Sequence, residues 1–255
     1  MQTVRLVRTS GLCILKQLRL EEAFLRADPG SWCLINEGAS HTAAVLGLSG
    51  VASRMLAPEA ASALPVYRRF TGGGTVVVDA DTLFVSLIFG QEAVPGTPLF
   101  PDQLMDWSER FYARVFSSLP AFRLRENDYV LGERKFGGNA QCITKGRFVH
   151  HTSFLWDFDQ DTMALLQHPP RTPAYRQSRG HSEFVCRLRQ HWPSRSTLGQ
   201  RVADELARTF SIVEIPLAEA ELVLSRQHHC SSSIVSLPEH ALAPSSIERQ
   251  TSRLS

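Results

Sequence analysis

Arg68-Arg69-Phe70-Thr71-Gly72-Gly73-Gly74-Thr75-Val76-Val77-Val78-Asp79 is the stretch on which the reading of this chain turns. Three successive glycines lose more backbone entropy on folding than any other residues would, so such a loop needs a reason. Close approach of the backbone to a ligand is one. Its N–H groups can hold phosphate or carboxylate oxygens, and a guanidinium from Arg68 or Arg69 adds a planar two-pronged donor. A tight turn between two solvated arginines is the plainer alternative. A Walker phosphate loop is excluded, because no Gly-Lys-Ser or Gly-Lys-Thr follows. Beyond the glycines, residues 75–78 and 82–89 are β-branched and aromatic with Asp79-Ala80-Asp81 between them. That pattern predicts a hairpin entered through the glycine loop.

Working outward, residues 4–7 alternate like a short strand, and Leu12, Leu15, Leu18, Glu22 and Leu25 recur with helical spacing up to Asp28-Pro29-Gly30. Residues 32–36 and 43–48 read as two strands joined by a turn, and 51–62 as a short helix beginning near Pro58. Apolar side chains at 104, 105, 107, 111, 115 and 116 predict an amphipathic helix over 102–118. Residues 122–124, 129–131 and 147–151 read as strands, punctuated by Glu126-Asn127-Asp128 and Lys135-Phe136-Gly137-Gly138-Asn139. Pro169, Pro170 and Pro173 mark a loop. Helical patterns at 181–191 and 198–210, a strand at 212–215 and a short helix at 218–224 follow. The interleaving lacks a strict βαβ rhythm. It predicts an α+β domain over 1–230, a mixed, largely antiparallel sheet packed with helices, and a Ser-rich disordered tail over 231–255.

At 255 residues and 43% hydrophobic, the chain can bury one large core, yet no run approaches the roughly 20 apolar residues that cross a bilayer. A net charge of +2 with dispersed basic residues offers no field for non-specific nucleic-acid binding. Five cysteines, at 13, 33, 142, 186 and 230, form no CxxC pair and cannot all pair within the chain, which fits a reducing compartment. The first acidic residue is Glu21, the bias of an organellar transit peptide, but the strand and helix patterns read as part of the domain. The expectation is a soluble protein of the cytoplasm or of a mitochondrion or plastid, not a secreted one.

Two further clusters carry chemistry. Asn127-Asp128 followed by Lys135-Phe136-Gly137-Gly138-Asn139-Ala140 again sets a basic side chain among glycines, where a lysine can neutralise a carboxylate and then the charge that develops as it attacks a phosphate. In His150-His151-Thr152-Ser153 the two histidines face opposite sides of a strand, so both cannot ligate one metal, and one is expected to hydrogen-bond in the core.

Taken in order, the glycine motif at 68–79, Asn127-Asp128, the run from Lys135 and His150-His151-Thr152, together with Leu18-Arg19-Leu20-Glu21-Glu22, resemble the lipoate-protein ligase A family. The resemblance covers residues 4–215. It implies the catalytic-domain fold shared by biotin and lipoate protein ligases, of class II synthetase type. It also implies activation of lipoate or octanoate by ATP and Mg2+ to an acyl-adenylate, then acyl transfer to a lysine of a lipoyl carrier domain. Lys135 would be the catalytic residue, matching the family lysine that touches carboxylate and α-phosphate. Arg69, Gly73, Gly74, Thr75, Val76, Val77, Asn127, Asp128, Gly138, Asn139, Ala140 and His150 would bind substrate and ATP, and Asp128 would orient Lys135 or hold magnesium. On this resemblance the ligase is complete in one chain or aided by a separate accessory subunit.

The family pattern is departed from at Val78, where a histidine is usual, and at Cys142, where a basic residue is usual. These departures keep two alternatives open. One is an ATP-independent octanoyl or lipoyl transferase with Cys142 as nucleophile, and the other a non-catalytic module that binds the acyl group or its carrier.

Overall fold

The computed structural model describes residues 1–167 and 172–236. Twelve strands are present among them: β1 (Thr3–Leu12), β2 (Ser31–Ala39), β3 (Ala43–Leu46), β4 (Val66–Arg68), β5 (Val76–Val78), β6 (Thr82–Gly90), β7 (Phe122–Arg125), β8 (Asp128–Leu131), β9 (Arg134–Thr144), β10 (Arg147–Leu155), β11 (Ser211–Glu214) and β12 (Ser233–Ile234). The α-helices are α1 (Ile14–Arg26), α2 (Ala52–Met55), α3 (Ala60–Ala63), α4 (Pro101–Val115), α5 (Gln160–Ala164), α6 (His181–Phe184), α7 (Arg195–Ala207) and α8 (Leu217–Ala220).

An eight-stranded sheet runs β11-β1-β2-β6-β10-β9-β8-β7, and a four-stranded sheet runs β12-β4-β3-β5. Only the β1 pairs in the large sheet and the β3–β4 pair in the small one are parallel. The expected mixed, largely antiparallel α+β fold is therefore present. Central strand β6 is buried along its whole length, as its unbroken Leu-Phe-Val-Ser-Leu-Ile-Phe run requires of a strand covered on both faces. α4 and α7 pack with an aromatic-rich core over one face. α1 covers the other, together with part of the small sheet. α4 begins at Pro101, whose fixed φ and missing N–H suit a first helical position, and buries Leu104, Met105, Ser108, Phe111, Tyr112 and Val115 on one stripe.

Four sequence expectations are corrected. Residues 75–78 and 82–89 do not pair as a hairpin: β5 pairs with β3 in the small sheet, whereas β6 joins β2 and β10 in the large one. Likewise β2 and β3 enter different sheets. The tract from Lys135 to Asn139 is not a turn but the first half of the longest strand, β9. At the C-terminal end, residues 231–236 belong to the fold instead of a tail. Glu22, buried on α1, accepts from the N–H groups of Ser231 and Ser232 and from Ser232 Oγ, and Ser233–Ile234 then pairs with β4. Those bonds hold the Glu22 carboxyl below its usual range against the opposing effect of burial. Residues 237–255 lie outside the described residues, as do Pro169 and Pro170. No helix among the described residues is long and apolar enough to cross a membrane.

Candidate functional site

A cleft of about 780 Å3 opens between α1, the glycine loop and the β8–β10 end of the large sheet. Arg69, Gly73, Gly74, Thr75, Val76, Val77, Asn127, Asp128, Lys135, Gly138, Asn139 and Ala140 all stand on its wall. Part of that wall is apolar and continuous with the core, built by Ile14 and Leu18 of α1, Val45, Val76, Val78 and Phe84. A cleft that joins an apolar lane to a few converging polar groups is the form of a site for an amphiphilic small molecule.

Lys135 sits at the polar end. Between Tyr129 and Val130 the β8–β9 register shifts, so that Asp128 opposes Gly138 and Val130 opposes Lys135. Such a bulge re-aims a side chain. The Lys135 ammonium turns back across Gly138, where a Cβ would stand 3.1 Å from Nζ, and meets Asp128 Oδ1 at 2.7 Å. Tyr175 donates to the other carboxylate oxygen at 2.9 Å. Burial and the neighbouring Asp128 push the Tyr175 phenol far up, so it stays a donor. Asn139 Nδ2 donates to Asn127 O at 2.7 Å and ties the β8 end to β9. From the far side, Cys186 N–H donates to Lys135 O, which fixes the lysine backbone as well.

Asp128 was expected to orient Lys135 or to hold magnesium, and the geometry favours the first. Both its oxygens are engaged, and no cluster of three or more metal-ligating side chains occurs among the described residues. The donor set does not fit a resident magnesium site.

The glycine loop has a different architecture from the one anticipated. Neither arginine is a solvated fork awaiting a phosphate. Arg68 Nη1 donates to the carbonyls of Gly47, Leu48 and Gly50, and Arg69, only 5% exposed, donates to Gly72 O and Gly74 O, both at 2.7 Å from Nη2. Burial lowers the Arg69 guanidinium to about 10, partly opposed by Glu21. Arg69 shapes the glycine loop and Arg68 the neighbouring turn at 47–50, and anion contacts from this wall are left to backbone N–H groups. Gly73, at φ +96°, supplies the left-handed turn, and a Cβ there would stand 2.9 Å from Arg69 Nη2.

Of the expected site residues only His150 is absent from the cleft. It is fully buried on the α4 side of β10, where Gln141 Nε2 donates to Nδ1 and Nε2 faces the Tyr129 hydroxyl, both at 3.0 Å. Nδ1 must accept, so the ring is neutral and Nε2–H donates to Tyr129, which in turn donates to Ser108. Burial, then the nearby His151, lowers His150 to about 3. The core histidine anticipated from the His-His pair is thus His150, and its neighbour faces the cleft. His151 bonds Thr71 Oγ1 at 3.0 Å and Glu21 at 2.7 Å. Glu21 also accepts from Ser86 and Gln17. Burial opposes ionisation of Glu21, but His151 and these donors together hold its carboxyl below the usual range.

Glu21, Gln17 and His151 were missed as site residues, as were Tyr175 and Arg176. Glu21 was legible only as part of a helical pattern, and Arg176 lies in a loop without periodicity. Cys142 points to the face that holds Ala140 but two residues further along, packed against the α1 core, and burial raises its thiol. No cysteine lines the cleft among the described residues, so the thioester route has no nucleophile there.

Comparison with known proteins gives the chain a family. The lipoyl protein ligase A/B catalytic domain model matches residues 14–211, and the chain belongs to that family. A protein of Plasmodium falciparum named inactive lipoate–protein ligase 2 is 29% identical over 154 residues, 48% of this chain and 40% of its own length. The chain spans less than half the length of the curated relatives it matches. Among solved structures, lipoate-protein ligase A bound with ATP superposes with a TM-score of 0.70 at 18% identity, covering 88% of this chain and 92% of that one. The bipartite lipoate protein ligase of Thermoplasma acidophilum, described with its E2 lipoyl domain, gives 0.71 at 18% identity, covering 88% and 91%. At such identities the superpositions establish the fold.

Proposed function

We propose that the chain activates lipoate or octanoate with ATP and passes the acyl group to a lysine of a lipoyl carrier domain. The observation that carries this reading is the Lys135 ammonium, fixed by Asp128 at 2.7 Å at the polar head of a cleft with an apolar lane. In the first step a carboxylate oxygen attacks the α-phosphorus and pyrophosphate leaves. In the second the acceptor amine attacks the acyl carbonyl, loses its proton, and AMP departs with the bonding electrons. Negative charge grows on oxygens at the same place in both steps, where a preorganised cation stabilises it most. Asp128 and Tyr175 keep Lys135 in place, while Ile14, Leu18, Val45 and Phe84 take the hydrocarbon. Magnesium would arrive on the nucleotide phosphates. The ATP-bound relative and the archaeal ligase with its lipoyl domain support nucleotide and carrier as ligands, and the bipartite form of the latter supports a separate accessory subunit. The setting we propose is the cytoplasm or an organelle, on the five unpaired cysteines.

A second reading is a binding module without turnover, favoured by Val78 on the cleft wall and by the relative named as inactive. Acid-dependent exchange of pyrophosphate into MgATP, with lipoate, octanoate and biotin compared, separates the two. Exchange with lipoate or octanoate but not biotin is expected. A folded protein that binds octanoate yet shows no exchange, with accessory subunits supplied, would overturn the adenylation reading.

A further inference from the structure

Three buried polar side-chain atoms lack a hydrogen-bond partner among the described residues, and two of them, Arg176 Nη2 and Thr75 Oγ1, belong to residues on the cleft wall. Leaving a buried donor unsatisfied is unfavourable, and most strongly so for a charged group. Two such atoms on one cavity point to a ligand that supplies the missing acceptor.

Arg176 is the more informative of the two, because it is 4% exposed and held by a dedicated clasp. Its Nε donates to Arg179 O at 2.9 Å, and Arg179 Nε donates back to Arg176 O at 3.0 Å. The intervening Gln177 and Ser178 both take left-handed backbone, at φ 51° and 61°, which non-glycine residues adopt at a cost. Both guanidinium groups lie over the Phe184 ring. The clasp anchors one edge of the Arg176 fork and leaves Nη2 unpartnered. Its neighbour Tyr175 holds Asp128, whose other oxygen is matched to Lys135. Asp128 pairs with Lys135 at 2.7 Å and also favours the charged form of Arg176, so one carboxylate serves two cations on this cleft.

We propose that Arg176 is an oxyanion anchor of the cleft, binding an anionic oxygen of the ligand head group and fixing that head group against Lys135. The oxygen belongs to the phosphate of an acyl nucleotide or to the carboxylate of the free acid. This rests on the acyl-ligand reading above and names the residue that would discriminate a charged head group from a neutral one.

The test is calorimetric binding of three probes to the full chain: octanoyl-AMP, octanoate and octanamide. A charge-assisted hydrogen bond lost from a buried site predicts that Arg176→Gln weakens octanoyl-AMP by about tenfold or more. Octanamide should change by less than about twofold, since a neutral head group makes no charge-assisted bond. Loss for octanoyl-AMP alone assigns the phosphate, loss for octanoate alone assigns the carboxylate of the free acid, and loss for both assigns a site that takes the anionic oxygen of either ligand. Arg176→Lys keeps the charge without the fork and should lie between wild type and Arg176→Gln. If Arg176→Gln does not fold, Arg176→Lys is read in its place, a several-fold loss confined to the anionic probes being expected. Wild-type affinity for both anions in the folded variant, or equal weakening of all three probes, overturns the inference. Failure of the wild-type chain to bind any probe removes the acyl-ligand reading and this inference with it. Binding that is indifferent to Arg176 removes this inference alone.

Discussion

The two walls of the cleft each carry adjacent glycines, and they use them for opposite reasons. On the loop wall, Gly73 is needed for its backbone conformation, while Gly72 and Gly74 face open space. On the strand wall, Gly137 and Gly138 have ordinary extended backbone but no room. A Cβ on Gly137 would stand 2.8 Å from the Phe154 ring, and one on Gly138 would press on Lys135. One wall is a shaped loop stapled by the buried Arg69, and the other is a rigid strand pair cleared of side chains so that a lysine can lie across it. Under the proposed function, chemistry belongs to the second wall and ligand contour to the first.

That division makes Lys135→Ala the most damaging change. Removing a charge-stabilising group from the reacting centre lowers acyl transfer by about 10^2–10^3-fold or more, with the fold retained because the side chain is partly exposed. Acyl transfer to a purified carrier domain checks this, and full activity in the variant would remove Lys135 from the mechanism.

β10 is the seam between the walls, and its two histidines divide in the same way. His151 reaches Thr71 on the loop wall, and His150 reaches Tyr129 and Gln141 on the strand wall. His150 is depressed to about 3 in the folded chain. An unfolded histidine takes up a proton below about 6.5, so the stability tied to neutral His150 is complete above that pH and is lost as pH falls toward 3. Between pH 7 and pH 5 this contributes a loss of about 2 kcal/mol. His150→Gln should flatten the dependence by that amount in urea titrations at the two pH values. An unchanged slope would place the His150 proton elsewhere.

On the strand wall itself, Gly137→Ala should destabilise by about 1–3 kcal/mol through overpacking against Phe154 and Tyr129, with no backbone strain involved. Thermal melting measures it, and a neutral result would mean that the strand wall has slack and that the contrast between the walls is overstated.

How much of this was legible in the sequence follows the same divide. The motif at 68–79, Asn127-Asp128 and the run from Lys135 are local strings, and all their proposed site residues meet at one cleft. Partner choice between strands is not local, which is why residues 75–78 and 82–89 read as a hairpin yet enter different sheets. The two glycines of β9 looked like punctuation because the reason for them, the Phe154 ring, lies on another strand. Ser231 and Ser232 are ordered by Glu22, more than 200 residues earlier, where composition alone reads as tail. His150 and His151 could be assigned to opposite faces by alternation, but which face lines the cleft required the packing of α1 against β10.

The finest test of the contrast lies within the loop wall, between neighbours. Gly73→Ala must place a side chain at φ +96° and within 2.9 Å of Arg69 Nη2, which costs about 1–2 kcal/mol for the left-handed backbone before the contact is counted. Gly74→Ala meets nothing within 4 Å and needs no positive φ, so its effect should stay within about 0.5 kcal/mol. Any change there is a slight gain, because alanine restricts the unfolded chain more than glycine does. If the ligand contacts the loop through its backbone, Gly74→Ala can still weaken octanoyl-AMP binding while leaving the melting temperature untouched. Equal melting shifts for Gly73→Ala and Gly74→Ala would mean that the loop is held by something other than the Arg69 staple, since that staple distinguishes the two positions.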